Sequence, residues 1–137
     1  MGRLDYDYQH EPILLTWGKA HKFYGKGDHK TSIWEIPKPM RSKEHPTMKP
    51  VALVENALLN NSTDGDIVVD FYAGSGTTMV AAEQLGRRCY AMEISAEYCQ
   101  VVIDRMKKAF PDIEVKQVLT AEKQRKNGKT DSRRKAV

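Results

Sequence analysis

From residue 51 onward the apolar positions keep step with regular secondary structure, whereas those before it do not. The earlier segment mixes aromatics, His and Lys without a sustained period and is broken by Gly18, Gly25, Gly27, Pro37 and Pro39. Two stretches in it read as short strands, 12–17 (PILLTW) and 31–36 (TSIWEI); the second alternates apolar and polar residues until Pro37 ends it. Trp17 and Trp34 are then expected in core or sheet packing. Over 51–59, directly after Pro50, apolar residues recur at spacings of three and four, which predicts an amphipathic helix. Turn-forming residues fill 60–66 and lead into 67–71 (IVVDF), a β-branched run typical of a parallel strand covered on both faces.

After the glycines at 74 and 76, a helix is predicted over 77–85, with Gly86 as its C-cap, and then a second strand over 88–94. Ser95 is placed to cap a last helix whose apolar stripe is Tyr98, Val101, Val102, Met106 and Phe110; Pro111 closes it, and 113–118 reads as one more short strand. The unit 67–94 is therefore strand, glycine turn, helix, strand, the signature of an α/β fold with a partial parallel sheet flanked by helices.

Bulk properties narrow the class. A chain of 137 residues with 40% hydrophobic and 29% charged residues suits one globular domain. No apolar run approaches the ~18 residues that span a bilayer, and Asp5 interrupts the amino terminus as a secretory signal would not, so a cytoplasmic, non-membrane protein is expected. Cys89 and Cys99 lie in apolar segments and are expected buried and reduced; with no cluster completing His10, His21 or His29, no metal site is expected. The net charge of +4 is concentrated toward the end, where 123–135 carries seven basic residues and one acid. Such a run reads as a solvated tail or, alternatively, as an arm that contacts phosphates.

The chemistry centres on the order strand, Asp70, glycine turn, helix, strand, Glu93. In a doubly wound sheet ligands bind beyond the carboxyl ends of the strands, where a glycine turn lets the backbone approach and the next helix offers free N–H groups. An acid about twenty residues on can accept hydrogen bonds from ribose hydroxyls, so an adenosine-type ligand fits. A dinucleotide fingerprint needs a third glycine where Met79 stands, and a phosphate-binding loop needs a lysine that Gly76-Thr77-Thr78 lacks. Taken alone, the turn with its acid would suit many nucleotide-binding α/β proteins.

The stretch Asp70-Phe71-Tyr72-Ala73-Gly74-Ser75-Gly76-Thr77-Thr78 resembles the cofactor loop of the DNA amino-methyltransferases, and His45-Pro46-Thr47-Met48-Lys49-Pro50 resembles the motif that precedes this loop in permuted members of that family. His10-Glu11-Pro12-Ile13-Leu14-Leu15-Thr16-Trp17 is similar to their late catalytic-domain motif. The resemblance implies a Rossmann-like S-adenosylmethionine-dependent methyltransferase fold, with S-adenosylmethionine as cofactor and DNA as partner. It implies that Gly74, Ser75 and Gly76, with Thr77 and Thr78 beside them, cradle the methionine part; that His45, Thr47 and Lys49 lie near its carboxylate; and that Glu93 holds the ribose. Asp70 would anchor the loop or meet the cofactor's amino group, and Tyr72 replaces the family's usual Phe. Residues 1–120 would form the cofactor-binding domain, irregular over 1–44 and βα over 45–120, with 121–137 a basic tail. The family holds its flipped target base with a Pro-Pro tetrapeptide, and this sequence contains no Pro-Pro pair. The chain thus looks like the carboxyl-terminal half of an enzyme, for which a second polypeptide is one source of the catalytic half. A non-catalytic DNA-binding or regulatory partner of a methyltransferase is the alternative.

Overall fold

The computed structural model describes residues 10–25, 31–37, 48–116 and 118. The elements follow in the order α1 (Val51–Asn61), β1 (Ile67–Asp70), α2 (Thr77–Gln84), β2 (Arg88–Ala91) and α3 (Ala96–Ala109). The βα unit expected from the apolar rhythm is present, with α1 two residues longer and each strand shorter than predicted. The strands pair in parallel with Ile67 opposite Arg88 and Asp70 opposite Ala91, so their carboxyl ends are level. Pairing continues past them, since Met92 N donates to Asp70 O at 2.8 Å and Ala73 N to Met92 O at 3.0 Å. At the other end Arg87 donates from Nη2 to Ser62 O (2.9 Å) and from Nε to Ser62 Oγ (3.2 Å), tying the loop after α1 to the loop before β2.

Helix α2 is the hub, packed against α1, β2 and α3. Its Ala81 and Ala82 are fully buried, because small side chains let neighbouring backbones come close, and Val80 joins Val102 and Met106 of α3 in the core, edged by Val51, Met79, Phe110 and Ile113. The predicted stripe of α3 holds except at Tyr98: Val102 and Met106 are buried, Phe110 packs against them and Val101 is partly covered, while Tyr98 is exposed. Ser95 caps the helix as expected, its Oγ accepting from Tyr98 N at 3.3 Å.

Several expectations are corrected. Neither 12–17 nor 31–36 is a strand, nor is 113–118 among its described residues. A strand needs a neighbour for its ladder, and no described backbone pairs with these segments as a sheet. Trp17 is 60% exposed rather than packed, while Trp34 is partly covered. Cys99 is exposed and Cys89 only half-buried, whereas both were expected inside. The sheet itself is covered on one face only. Val68, Asp70, Cys89 and Ala91 are partly covered, but Ile67, Val69, Phe71, Tyr90, Met92 and Ile94 on the opposite face are each more than half exposed. No described helix is long and apolar enough to cross a membrane.

Stability should therefore respond to one side of the sheet. Met106→Ala is expected to cost about 2 kcal/mol and Tyr90→Ser less than about 0.5 kcal/mol, in urea unfolding followed by circular dichroism. Similar losses at the two positions would contradict this assignment of the core.

Candidate functional site

The candidate site lies where the level strand ends meet the bend Ala73-Gly74-Ser75-Gly76. Gly76 N donates to Ala73 O at 2.8 Å, closing a turn that takes Gly74 to φ +51° and Gly76 to φ +76°, the left-handed region that side chains disfavour. The two glycines serve different ends. A Cβ on Gly76 would stand 2.9 Å from Val102 Cγ2, so its absence lets α3 press against the bend, whereas a Cβ on Gly74 would meet only Tyr72 O at 4.0 Å. The Gly74 side is open to an approaching ligand. Gly76 is also the N-cap of α2, which no side chain caps, so the first-turn N–H groups face the bend with the partial positive charge of a helix amino terminus.

Two charged side chains hold the bend. Glu93 Oε2 accepts from Gly74 N and Oε1 from Ser95 N, both at 2.8 Å, linking the bend to the start of α3. These amides, Ser95 first, hold its carboxyl below the ordinary value of 4.5, because they bond the ionised form. Arg105 of α3 also reaches the bend, its Nη1 donating to Thr77 Oγ1 (3.0 Å), Ser75 O (3.1 Å) and Ser75 Oγ (3.3 Å). Burial pulls the Arg105 guanidinium below its usual value without neutralising it.

Most of the residues singled out in the sequence converge here. Asp70 Oδ1 accepts from Tyr72 N at 2.9 Å and so shapes the entry to the bend; the Tyr72 ring is exposed. Ser75 and Thr78 are half-buried, and Thr77 is buried with its hydroxyl 3.4 Å from Lys49 O, which brings the segment before α1 against the start of α2. The Lys49 ammonium forms an exposed ion pair with Glu11, drawing the 10–17 segment toward the same region. His45 and Thr47 lie outside the described residues, as does the basic 121–137 segment. Burial and the charge of Asp70 push the Cys89 thiol up, keeping it protonated. Among the described residues no three of His, Cys, Asp or Glu group as metal ligands.

Sequence reasoning missed Arg105. Its signal was spacing: it stands three residues after Val102, on the face of α3 that packs.

Comparisons with known proteins find relatives among DNA methyltransferases. The profile of a family described as DNA methylase matches residues 4–104. The type II methyltransferase M.HpaI of Haemophilus parainfluenzae is 34% identical over 89 residues, covering 62% of this chain and 28% of the relative. The DNA adenine methyltransferase YhdJ of Escherichia coli K12 is 37% identical over 79 residues, 55% of this chain and 27% of the relative. The chain thus spans less than a third of the length of these curated relatives. The crystal structure of an M1.HpyAVI–SAM complex superposes with a TM-score of 0.54 at 32% identity, covering 64% of this chain and 45% of that one.

The depressed Glu93 carboxyl has a pH consequence. Its contribution to holding the bend is complete above 4.5 and lost as pH falls through its lower folded value. The amide shifts of Gly74 and Ser95, followed by NMR, are expected to titrate together with a midpoint below 4.5, and Glu93→Gln should abolish that titration. A shared midpoint at or above the ordinary value would contradict the two hydrogen bonds.

Proposed function

This chain belongs to the N6/N4 DNA methylase family, and from that premise we propose that it is the S-adenosylmethionine-binding portion of a methyltransferase acting on an exocyclic amine of adenine or cytosine in DNA. The observation that carries the reading is the bend itself: an open Gly74, an uncapped helix amino terminus and the Glu93 carboxylate lie together at the carboxyl ends of two parallel strands. That arrangement offers amides to the anionic end of a ligand and an acid to the hydroxyls of its sugar. The similar M1.HpyAVI structure, a complex with S-adenosylmethionine, supports the choice of ligand.

The residues fit the group. Gly74 and Ser75 would lie along the methionine part, with Gly76 setting the bend and Thr77 and Thr78 opening the helix behind it; Lys49, with His45 and Thr47 ahead of it, would stand near the carboxylate. Glu93 would take the ribose hydroxyls, exchanging its Gly74 amide for them. Asp70 keeps the loop in shape through Tyr72 N. When bound, S-adenosylmethionine supplies a methyl group on a sulfonium, an electrophile for the target amine. No Pro-Pro tetrapeptide is present to hold that amine, so methyl transfer requires a portion carried by more chain or by a second polypeptide. The bare sheet face, from Ile67 to Ile94, supports a portion that is built to be covered.

Isothermal titration should show S-adenosylmethionine binding to this chain, weakened severalfold or more by Glu93→Ala, while a tritiated methyl donor with mixed-sequence DNA should give no incorporation. Absence of binding at millimolar cofactor would overturn the assignment. The run of seven basic residues in 123–135 favours a second role, contact with DNA phosphates. Deleting 123–137 should then abolish salt-dependent DNA binding while leaving cofactor binding intact.

A further inference from the structure

Arg105 is a half-buried cation, and among the described residues no carboxylate pairs with it. A guanidinium only donates, so at Ser75 and Thr77 it takes a lone pair of each hydroxyl and leaves the hydroxyl proton to be placed elsewhere. For Thr77 an acceptor stands 3.4 Å away, the Lys49 carbonyl. For Ser75 no acceptor is provided among the described residues, and Ser75 sits in the bend next to the open Gly74. The result is a hydroxyl fixed as a donor, backed by an uncompensated positive charge and flanked by a helix amino terminus.

We propose that Arg105 is a positioning residue that commits the Ser75 hydroxyl to donate toward an anion, and so selects ligands that carry a carboxylate at the bend. The inference rests on the reading of the bend as a cofactor site and adds to it the means by which the amino-acid end, rather than the nucleoside end, is recognised. Arg105 acts through Ser75. All three contacts come from Nη1, whose two hydrogens are shared among the Ser75 carbonyl and the Ser75 and Thr77 hydroxyls.

The test compares two ligands that differ at that end: S-adenosylhomocysteine, which bears the carboxylate, and 5′-methylthioadenosine, which does not. Titrations use the full chain, its Arg105→Met and Arg105→Lys variants, with circular dichroism to verify folding. Arg105→Met is expected to weaken S-adenosylhomocysteine about tenfold and methylthioadenosine by less than about twofold, with Arg105→Lys recovering part of the loss. Equal weakening of both ligands would assign Arg105 to loop architecture alone and overturn the proposal while leaving the cofactor site standing. An unchanged affinity for both would overturn it in the same way. If the wild-type chain binds neither ligand, the reading of the site falls and the proposal with it.

Discussion

The structure depends on how a glycine bend at the end of a parallel strand has its backbone held. Its amide at Gly74 needs an acceptor and its carbonyl at Ser75 a donor, and the chain supplies an anion for one and a cation for the other. Glu93 reaches the amide because the register sets Asp70 level with Ala91, which leaves the acid two residues beyond the paired end. Arg105 reaches the carbonyl because Gly76 carries no side chain where Val102 packs, so α3 lies close enough for its guanidinium to extend into the bend. The two clamps are therefore consequences of one strand register and one missing Cβ.

The same strands explain why the chain reads as part of a larger unit. Parallel sheets are ordinarily buried on both faces, yet here the helices leave one face bare, with Ile67, Val69, Phe71, Tyr90, Met92 and Ile94 in contact with solvent. Each such side chain forgoes part of the roughly 1.5–3 kcal/mol that full burial of a large apolar side chain brings. The relatives continue well beyond the matched segment, which is 28% and 27% of two of them. A face of this composition agrees with a fold whose other layer lies in that remaining length.

The site's electrostatics follow from the same economy of parts. Glu93 and Arg105 form no ion pair with each other; Glu93 is matched to backbone amides and Arg105 to a carbonyl and two hydroxyls. The exposed Lys49–Glu11 pair contributes little by itself, as surface pairs do, but it carries the 10–17 segment toward the entrance of the bend.

The local chemistry was legible from the chain alone. β-Branched runs, a glycine turn, a serine cap and three- and four-residue apolar spacing placed the strands and helices of the described residues, because each depends on contacts within a few residues. The loop motif likewise singled out Asp70, Gly74, Ser75 and Gly76, and the acid closing the next strand singled out Glu93. What only tertiary structure decided was whatever depends on a distant neighbour. Segments 12–17 and 31–36 have strand-like patterns but no ladder partner, and Trp17 and Cys99, apolar by type, face solvent. Arg105 became part of the site only when α3 folded across the bend, thirty residues away in sequence from Ser75, since no local pattern encodes which helix a missing Cβ will admit.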